Sequence, residues 1–445
     1  MNIIKIGGSV LRDKAGFARM VKIIKDYSST PLLIVISAFS KATRQLEKAA
    51  ELAEQGLEEK SSGILSQVLE WHVNFARDIL TDNSHIESLL ENFRSSDRKI
   101  SDLLKGLIIT KELTPRTLDA VLSYGELFAL QTVNQYLLEQ GFDQECIDST
   151  NIIVSDSDYG SAQPLVEETQ KKVNEILLPA IRKNKIVLTQ GFVARNLQGE
   201  ITTMGIESSN LTATLLAELL NIDEVVFWTD VEGIRTADPK IADVTKPLHF
   251  IDYDFAYKLG INGLKLIYPS MIAHAKSKNI KLKYLSAYEP DGDFTEISNK
   301  KSVERNSIII QKENLTLINI NFESLEQMQE IRNSICKDAL LSQSVFSINS
   351  NQSSIKLVLP QREIAHLKNI YKYIPEIIDR ICAVTMFNIS ESSVINYLAE
   401  IYNLNNGRSP FEFETGNEND SSRFLVHEDF VNELIGFLGK KIIEN

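Results

Sequence analysis

The sequence predicts an α/β protein with a mostly parallel central sheet flanked by helices, followed by two small α+β modules. Three observations lead there. Residues 1 to about 295 alternate short β-branched runs with longer helical patterns, as strands joined by crossover helices do. A polar stretch, GDFTEISNKKSVERN at 292–306, then breaks that rhythm. Beyond it the elements become short and regular, in the order βαββα taken twice.

In chain order, the strands of the first part read as NIIKI (2–6), PLLIVIS (31–37), KIVLTQGFVA (185–194), EVVFWTD (224–230) and IKLKYLS (280–286). Between the second and third lies a helical excursion over 43–110, polar, charged and almost free of Pro and Gly from Thr43 to Leu104. Strand 186–194, a polar turn at 195–200 and strand 201–204 read as a hairpin. A helix from Leu211 to Asn221 follows, with Ser209 or Asn210 placed to cap it.

The first C-terminal round is strand 315–320, helix 325–337, strands 344–349 and 354–359, and helix 362–372. The second is strand 382–388, helix 391–403, strands near 411–414 and 423–426, and helix 428–439. The expected domains are therefore 1–295, 303–376 and 377–445.

Composition narrows the partners. The chain has 445 residues and a formal net charge of -13, with no basic tract, so nucleic acid and anionic membrane are poor partners. A small charged ligand in a locally basic cleft fits better. Cys146, Cys336 and Cys382 are far apart and lack zinc-site spacing, which reads as reduced thiols and no protein-held metal. No apolar run reaches ~18 residues and MNIIKIGGSVL is no signal peptide, so the expectation is a cytoplasmic protein.

Six segments could carry chemistry. In IIKIGGS an apolar strand runs into Gly7-Gly8, whose bare backbone can approach a phosphate, with Lys5 as a cation and Ser9 beside them; a structural Gly-Gly turn would look the same. VISAFSKATRQL offers Ser37 and Thr43, as ligand donors or as ordinary helix caps. ELTPRTLDAVLSYGELFALQT places Glu126 in an apolar helical setting, either solvated or turned inward toward an ammonium group. ITTMGIESSNLTA ends a strand and starts a helix, where free N–H groups and Ser208, Ser209 and Asn210 could receive an anion without a basic side chain. VVFWTDVEGIRTADPK leaves a strand at Thr229-Asp230, at the carboxyl end where open α/β sheets bind ligands. In GINGLKLIYPSMI, Lys265 is the only charge in an apolar run, so it must reach solvent or meet an anion.

Taken together and in order, KIGGS, SA followed by Thr43, ELTPRTLDAVLSYGE, TQGF with TTMG, WTDVEGIRTADP and GLKLIYP closely resemble the aspartate kinases of the amino-acid kinase superfamily. The resemblance spans the first 295 residues, and the two modules resemble that family's paired ACT domains. It implies the amino-acid kinase fold and transfer of the γ-phosphoryl group of ATP, with Mg2+ carried on the phosphates, to the side-chain carboxylate of L-aspartate. Matched position by position, it makes Lys5 and Lys265 catalytic and gives phosphate binding to Gly7, Gly8 and Ser9. Ser37, Thr43, Glu126, Ser208 and Ser209 would hold substrate, and Thr229, Asp230, Arg235, Asp238 and Lys240 the nucleotide. It further implies a homodimer through the ACT-like modules and an amino-acid effector, although NGRSPFEFETGNENDSSRF departs from the usual effector-binding pattern.

One segment departs from the family. Similar kinases read Thr-Thr-Leu-Gly-Arg-Gly-Gly-Ser-Asp where this chain has Thr202 to Asn210. The arginine that takes the substrate's α-carboxylate is replaced by Ile206, the aspartate that orients the catalytic lysines by Asn210, and two glycines by Glu207 and Ser208. Losing such a charged partner costs about 2–5 kcal/mol if nothing replaces it. Asn210 can still accept from a lysine, which keeps it in the catalytic set. Three readings stay open: an aspartate kinase that holds the α-carboxylate by helix-start N–H groups, Ser208, Ser209, Arg195 or Arg235; a kinase for a different carboxylate; or a non-catalytic amino-acid sensor.

Overall fold

The computed structural model describes residues 1–445 apart from 28, 40, 184, 206, 301–305, 338–345, 351–352, 362–363, 365–374, 417–420 and 443–445. It divides into two compact units: Met1–Ile234 with Pro247–Tyr257 and Lys265–Ser302, and Arg235–Lys246 with Lys258–Leu264 and Val303–Asn445.

The strands up to Ser298 are β1 (Asn2–Ile6), β2 (Leu32–Ile36), β3 (Gln144–Cys146), β4 (Val154–Ser155), β5 (Ile186–Gln190), β6 (Val193–Asn196), β7 (Ile201–Thr203), β8 (Glu224–Thr229), β9 (Phe250–Asp252), β10 (Lys281–Ser286) and β11 (Thr295–Ser298). The helices over the same span are α1 (Lys14–Asp26), α2 (Ala42–Glu54), α3 (Glu58–Ile79), α4 (Asn83–Thr110), α5 (Pro115–Glu139), α6 (Val166–Lys172), α7 (Leu178–Lys183), α8 (Ser209–Leu220), α9 (Tyr253–Ile261) and α10 (Pro269–Lys278). Eight strands form one sheet in the order β3-β5-β2-β1-β8-β10-β11-β9. All neighbours run parallel except β10 with β11. Strand β2, LLIVI, is buried along its whole length, as expected for a parallel strand covered on both faces.

The helical excursion is α2, α3 and α4, followed by α5. Thr114 starts α5 by accepting from the Thr117 N–H at 3.1 Å, with Pro115 at the first helical position, where its missing donor is harmless. Phe17, Phe39, Phe75, Phe93 and Phe128 fill the core between these helices and the sheet.

Two expectations fail locally. The run 186–194 is not one strand: β5 belongs to the main sheet, whereas β6 pairs with β7 in a small three-stranded sheet. The break falls at Gly191-Phe192, where Phe192 takes a φ of 71° and a Cβ on Gly191 would lie 2.6 Å from Ser209 Cα. Helix α8 also starts two residues before Leu211, so Ser209 and Asn210 lie inside it and Ser208 is the cap, with no side-chain capping bond.

The second unit carries β12 (Ile308–Asn321), β13 (Ser347–Ser350), β14 (Ser354–Pro360), β15 (Glu376–Phe387), β16 (Glu412–Gly416) and β17 (Ser421–His427). Helices α11 (Leu325–Lys337), α12 (Glu391–Leu404) and α13 (Val431–Ile442) accompany them. The six strands form one antiparallel sheet, β13-β14-β12-β15-β17-β16, so both predicted rounds share it through β12 and β15. Both central strands are longer than expected, because β12 continues through the polar Gln311 to Asn314 by a shift in register against β15. Most of the helix expected at 362–372 lies outside the described residues. Cys146 and Cys382 form no disulfide among the described residues, and the side chain of Cys336 lies outside them.

Candidate active site

Strand β1 lies between β2 and β8, with Ile6 opposite both Ile36 and Trp228. The loops that leave their carboxyl ends therefore emerge side by side, which is where open α/β sheets bind ligands. The Gly7 N–H is fixed to the Trp228 carbonyl at 3.0 Å. A Cβ on Gly8 would lie 1.9 Å from the Ala38 carbonyl oxygen, so the first two loops touch backbone to backbone. Ser9 Oγ donates to Asp230 Oδ1 at 2.9 Å and joins the first loop to the third. Thr229 is buried, and its hydroxyl donates to the Val231 carbonyl at 2.8 Å, which shapes the turn that presents Asp230.

Lys5 reaches over this glycine turn: a Cβ on Gly7 would stand 3.8 Å from its Nζ. Burial pulls the Lys5 ammonium down to about 8, against the opposing pull of Glu126, Glu207 and Asp230. Glu126 points inward and is only 5% exposed. Burial pushes its carboxyl up to about 8, against Lys5 and a hydrogen bond from the Ala38 N–H. Its Oε2 accepts no hydrogen bond among the described residues. Thr43 packs on the same helix, its hydroxyl 3.1 Å from where a Cβ on Gly125 would stand. The N-cap of α2 is Lys41, so neither Ser37 nor Thr43 serves as its cap.

The start of α8 closes another side of the same region, since Gly191, directly after β5, abuts Ser209. Ser208 is 0% exposed, and its Oγ has no hydrogen-bond partner among the described residues. Asn210 Nδ2 donates to the Leu266 carbonyl at 2.8 Å, while its Oδ1 is buried and accepts from nothing among the described residues. Asn210 thus donates as expected, to the backbone next to Lys265, while its oxygen accepts from no lysine among the described residues. Glu207 is exposed with a φ of 71°, a left-handed conformation that glycine adopts far more readily than a residue with a side chain. Ile206 lies outside the described residues.

Lys265 reaches solvent, which resolves its isolation in an apolar run. The loop that carries it is held by Asn210 and Tyr284, both donating to the Leu266 carbonyl, and by Tyr268, whose hydroxyl donates to the Met204 carbonyl at 2.6 Å. Arg235, Asp238 and Lys240 belong to the second unit, and Thr229 and Asp230 to the first. There Arg235 donates to Thr245 Oγ1 at 2.7 Å, and Asp238 accepts from the Lys240 N–H at 2.9 Å. Arg195 makes its contacts with Thr150 and Gly199, both at 3.4 Å.

The amino acid kinase family model matches residues 1–283. The chain belongs to the amino acid kinase family. Among relatives of this kinase, chloroplastic aspartokinase 3 of Arabidopsis thaliana is 26% identical over 428 residues, which cover 93% of this chain and 73% of that protein. Among solved structures, E. coli aspartokinase III in complex with aspartate and ADP superimposes with a TM-score of 0.82 at 22% identity, covering 99% of this chain and 100% of that one. The same protein in complex with lysine and aspartate gives a TM-score of 0.69, at 22% identity and with 99% of each chain covered. These two likenesses show the fold.

One residue that shapes the approach to α8 in this kinase escaped the sequence. Asp119, buried in α5, accepts from the Thr203 N–H at 2.8 Å, the Thr203 hydroxyl at 2.7 Å and the Gly160 N–H at 2.9 Å. It fixes the end of β7 just before the loop to α8, while burial raises its carboxyl to about 6. No local pattern could reveal it, because its donors come from 41 and 84 residues away. Among the described residues, no group of three or more His, Cys, Asp or Glu could hold a metal, and no helix is long and apolar enough to cross a membrane.

Proposed function

We propose that the chain is an ATP-dependent aspartate kinase, which transfers the γ-phosphoryl group of ATP to the side-chain carboxylate of L-aspartate and forms 4-phospho-L-aspartate. The observation that carries this reading is the half-buried Lys5 over Gly7, within the field of Glu126 and Asp230, in a chain of this family whose relatives are aspartokinases. A carboxylate is ionised at neutral pH and needs no general base. What the site must supply is a way to bring two anions together.

The geometry supports the following roles. Lys5 and the backbone N–H groups of the Gly7, Gly8 and Ser9 turn receive the phosphates, and Lys265 supplies the second cation from the held loop. Mg2+ bound to the phosphates would neutralise charge, with Ser9 and Asp230 the polar side chains beside the turn. Glu126 takes the substrate's ammonium, with Ser37 and Thr43 beside it. The α-carboxylate falls to Ser208 and the free N–H groups at the start of α8, which replace the missing arginine. Thr229 and Asp230 serve the nucleotide.

The direct test is trapping of the acyl phosphate with hydroxylamine. Hydroxamate should form with ATP and L-aspartate and disappear in Lys5→Ala. Product from a related carboxylate but none from aspartate would overturn the assignment.

We infer further that the halves of the second unit are ACT-like modules, that they join two chains into a homodimer, and that the protein is cytoplasmic. Light scattering measures the assembly. Activity titrated with lysine and with threonine tests for an effector, and no response to either removes that part.

A further inference from the structure

A polar cavity of about 270 Å3 lies between α4, α5, the end of β5 and the β6–β7 hairpin. Two cations line it, Lys99 and Arg195, and one carboxylate, Asp148. The carboxylate is held in place: its Oδ1 accepts from Gln190 Nε2 at 2.7 Å and from the Thr150 N–H at 2.9 Å. Gln190 is fixed in turn by the Ser149 N–H at 3.0 Å.

Two lining groups are left without partners. Arg195 Nε and Gln131 Oε1 are both buried and make no hydrogen bond among the described residues. Buried donors and acceptors are seldom left unmet, so a donor and an acceptor orphaned in one cavity point to an occupant. That occupant must accept from Arg195 and donate to Gln131. A simple anion would suit Lys99 and Arg195 but set its charge against Asp148 and the Gln131 oxygen. A simple cation would meet the reverse conflict.

We propose that this cavity binds a small α-amino acid, its carboxylate toward Arg195 and Lys99 and its ammonium toward Asp148 and Gln131. The space of about 270 Å3 admits a molecule of amino-acid size. None of these four groups has a role in the proposed phosphoryl transfer.

Calorimetric titration of the full chain tests the assignment, with glycine, L-serine, L-threonine and L-aspartate as probes and acetate and ethylamine as single-charge controls. At least one amino acid should bind in wild type and in Glu126→Gln, and at least ~10-fold more weakly in Arg195→Gln and Lys99→Gln. Lys99 is exposed, so its substitution leaves the fold intact, and thermal melts confirm this for each variant. The assignment is overturned if none of the four amino acids binds, or if Lys99→Gln and Arg195→Gln bind as wild type does. Acetate binding as tightly as the amino acid would make this a plain anion site, and binding lost only in Glu126→Gln would place it in the catalytic region.

Discussion

Ser9 Oγ donates to Asp230 Oδ1 at 2.9 Å across 221 residues of sequence, and so couples the glycine turn after β1 to the loop after β8. Both loops are proposed to serve the same nucleotide. Ser9→Ala removes the tie, a loss of about 0.5–1.5 kcal/mol, which corresponds to a ~2–10-fold rise in KM for ATP. The KM for aspartate should change little. An unchanged KM for ATP would show that the two loops are held independently.

The two adjacent glycines should fail in different ways. A Cβ on Gly8 would lie 1.9 Å from a backbone oxygen, so Gly8→Ala must push apart the loops after β1 and β2 at a cost of about 1–3 kcal/mol, seen as a lower melting temperature. On Gly7 the nearest atom would be 3.4 Å away, ordinary contact, yet the methyl would stand 3.8 Å from Lys5 Nζ. Gly7→Ala should therefore keep its melting temperature and lose nucleotide affinity in calorimetry. Equal melting temperatures for the two variants would sink this distinction.

The glycines also show what the sequence could reveal. The strand that ends at Gly7-Gly8 is a local pattern and has its counterpart in β1, whereas the sequence left Glu126 either solvated or inward, and only its packing turns it inward. What stayed hidden depends on residues remote in sequence. The run 186–194 reads as one strand because its break serves the close approach of Gly191 to Ser209. Ser209 and Asn210 have good capping chemistry, but the register of α8 is set by what surrounds it, and Asn210 is drawn to Leu266, 56 residues on. The segments Arg235–Lys246 and Lys258–Leu264 pack with the second unit, which no change of composition at their ends announces.

Lys5 and Glu126 predict opposite proton movements on ligand binding. Burial lowers Lys5 to about 8 from its ordinary 10.5, so above that pH the free protein holds it largely neutral. A bound phosphate favours the ammonium, and nucleotide binding should take up a proton between pH 8 and 10.5. Glu126 is raised from 4.5 to about 8, so an aspartate ammonium should expel a proton between those values. For stability the sign follows from the raised carboxyl: the folded chain binds more protons than the unfolded one between 4.5 and 8, and stability falls as pH rises through that window. Glu126→Gln should flatten that fall in urea titrations. Calorimetry in buffers of different ionisation enthalpy reads the protons, and uptake persisting in Lys5→Ala would refute its assignment.

Restoring the family's aspartate at position 210 should harm this protein. Asn210 uses its amide as a donor to the Leu266 carbonyl at 2.8 Å, and Tyr284 donates to the same oxygen at 2.9 Å. An aspartate there has no donor and would turn a charged oxygen toward that carbonyl, so Asn210→Asp should cost about 1–3 kcal/mol in urea unfolding. Asn210→Ala loses the bond without the repulsion and should fall between the variant and wild type. Because Leu266 adjoins Lys265, hydroxamate formation should decline in the same order as the loop loosens. The contrary result, Asn210→Asp as stable as wild type and more active, would mean that the carboxylate finds a lysine and that the latch on Leu266 is dispensable.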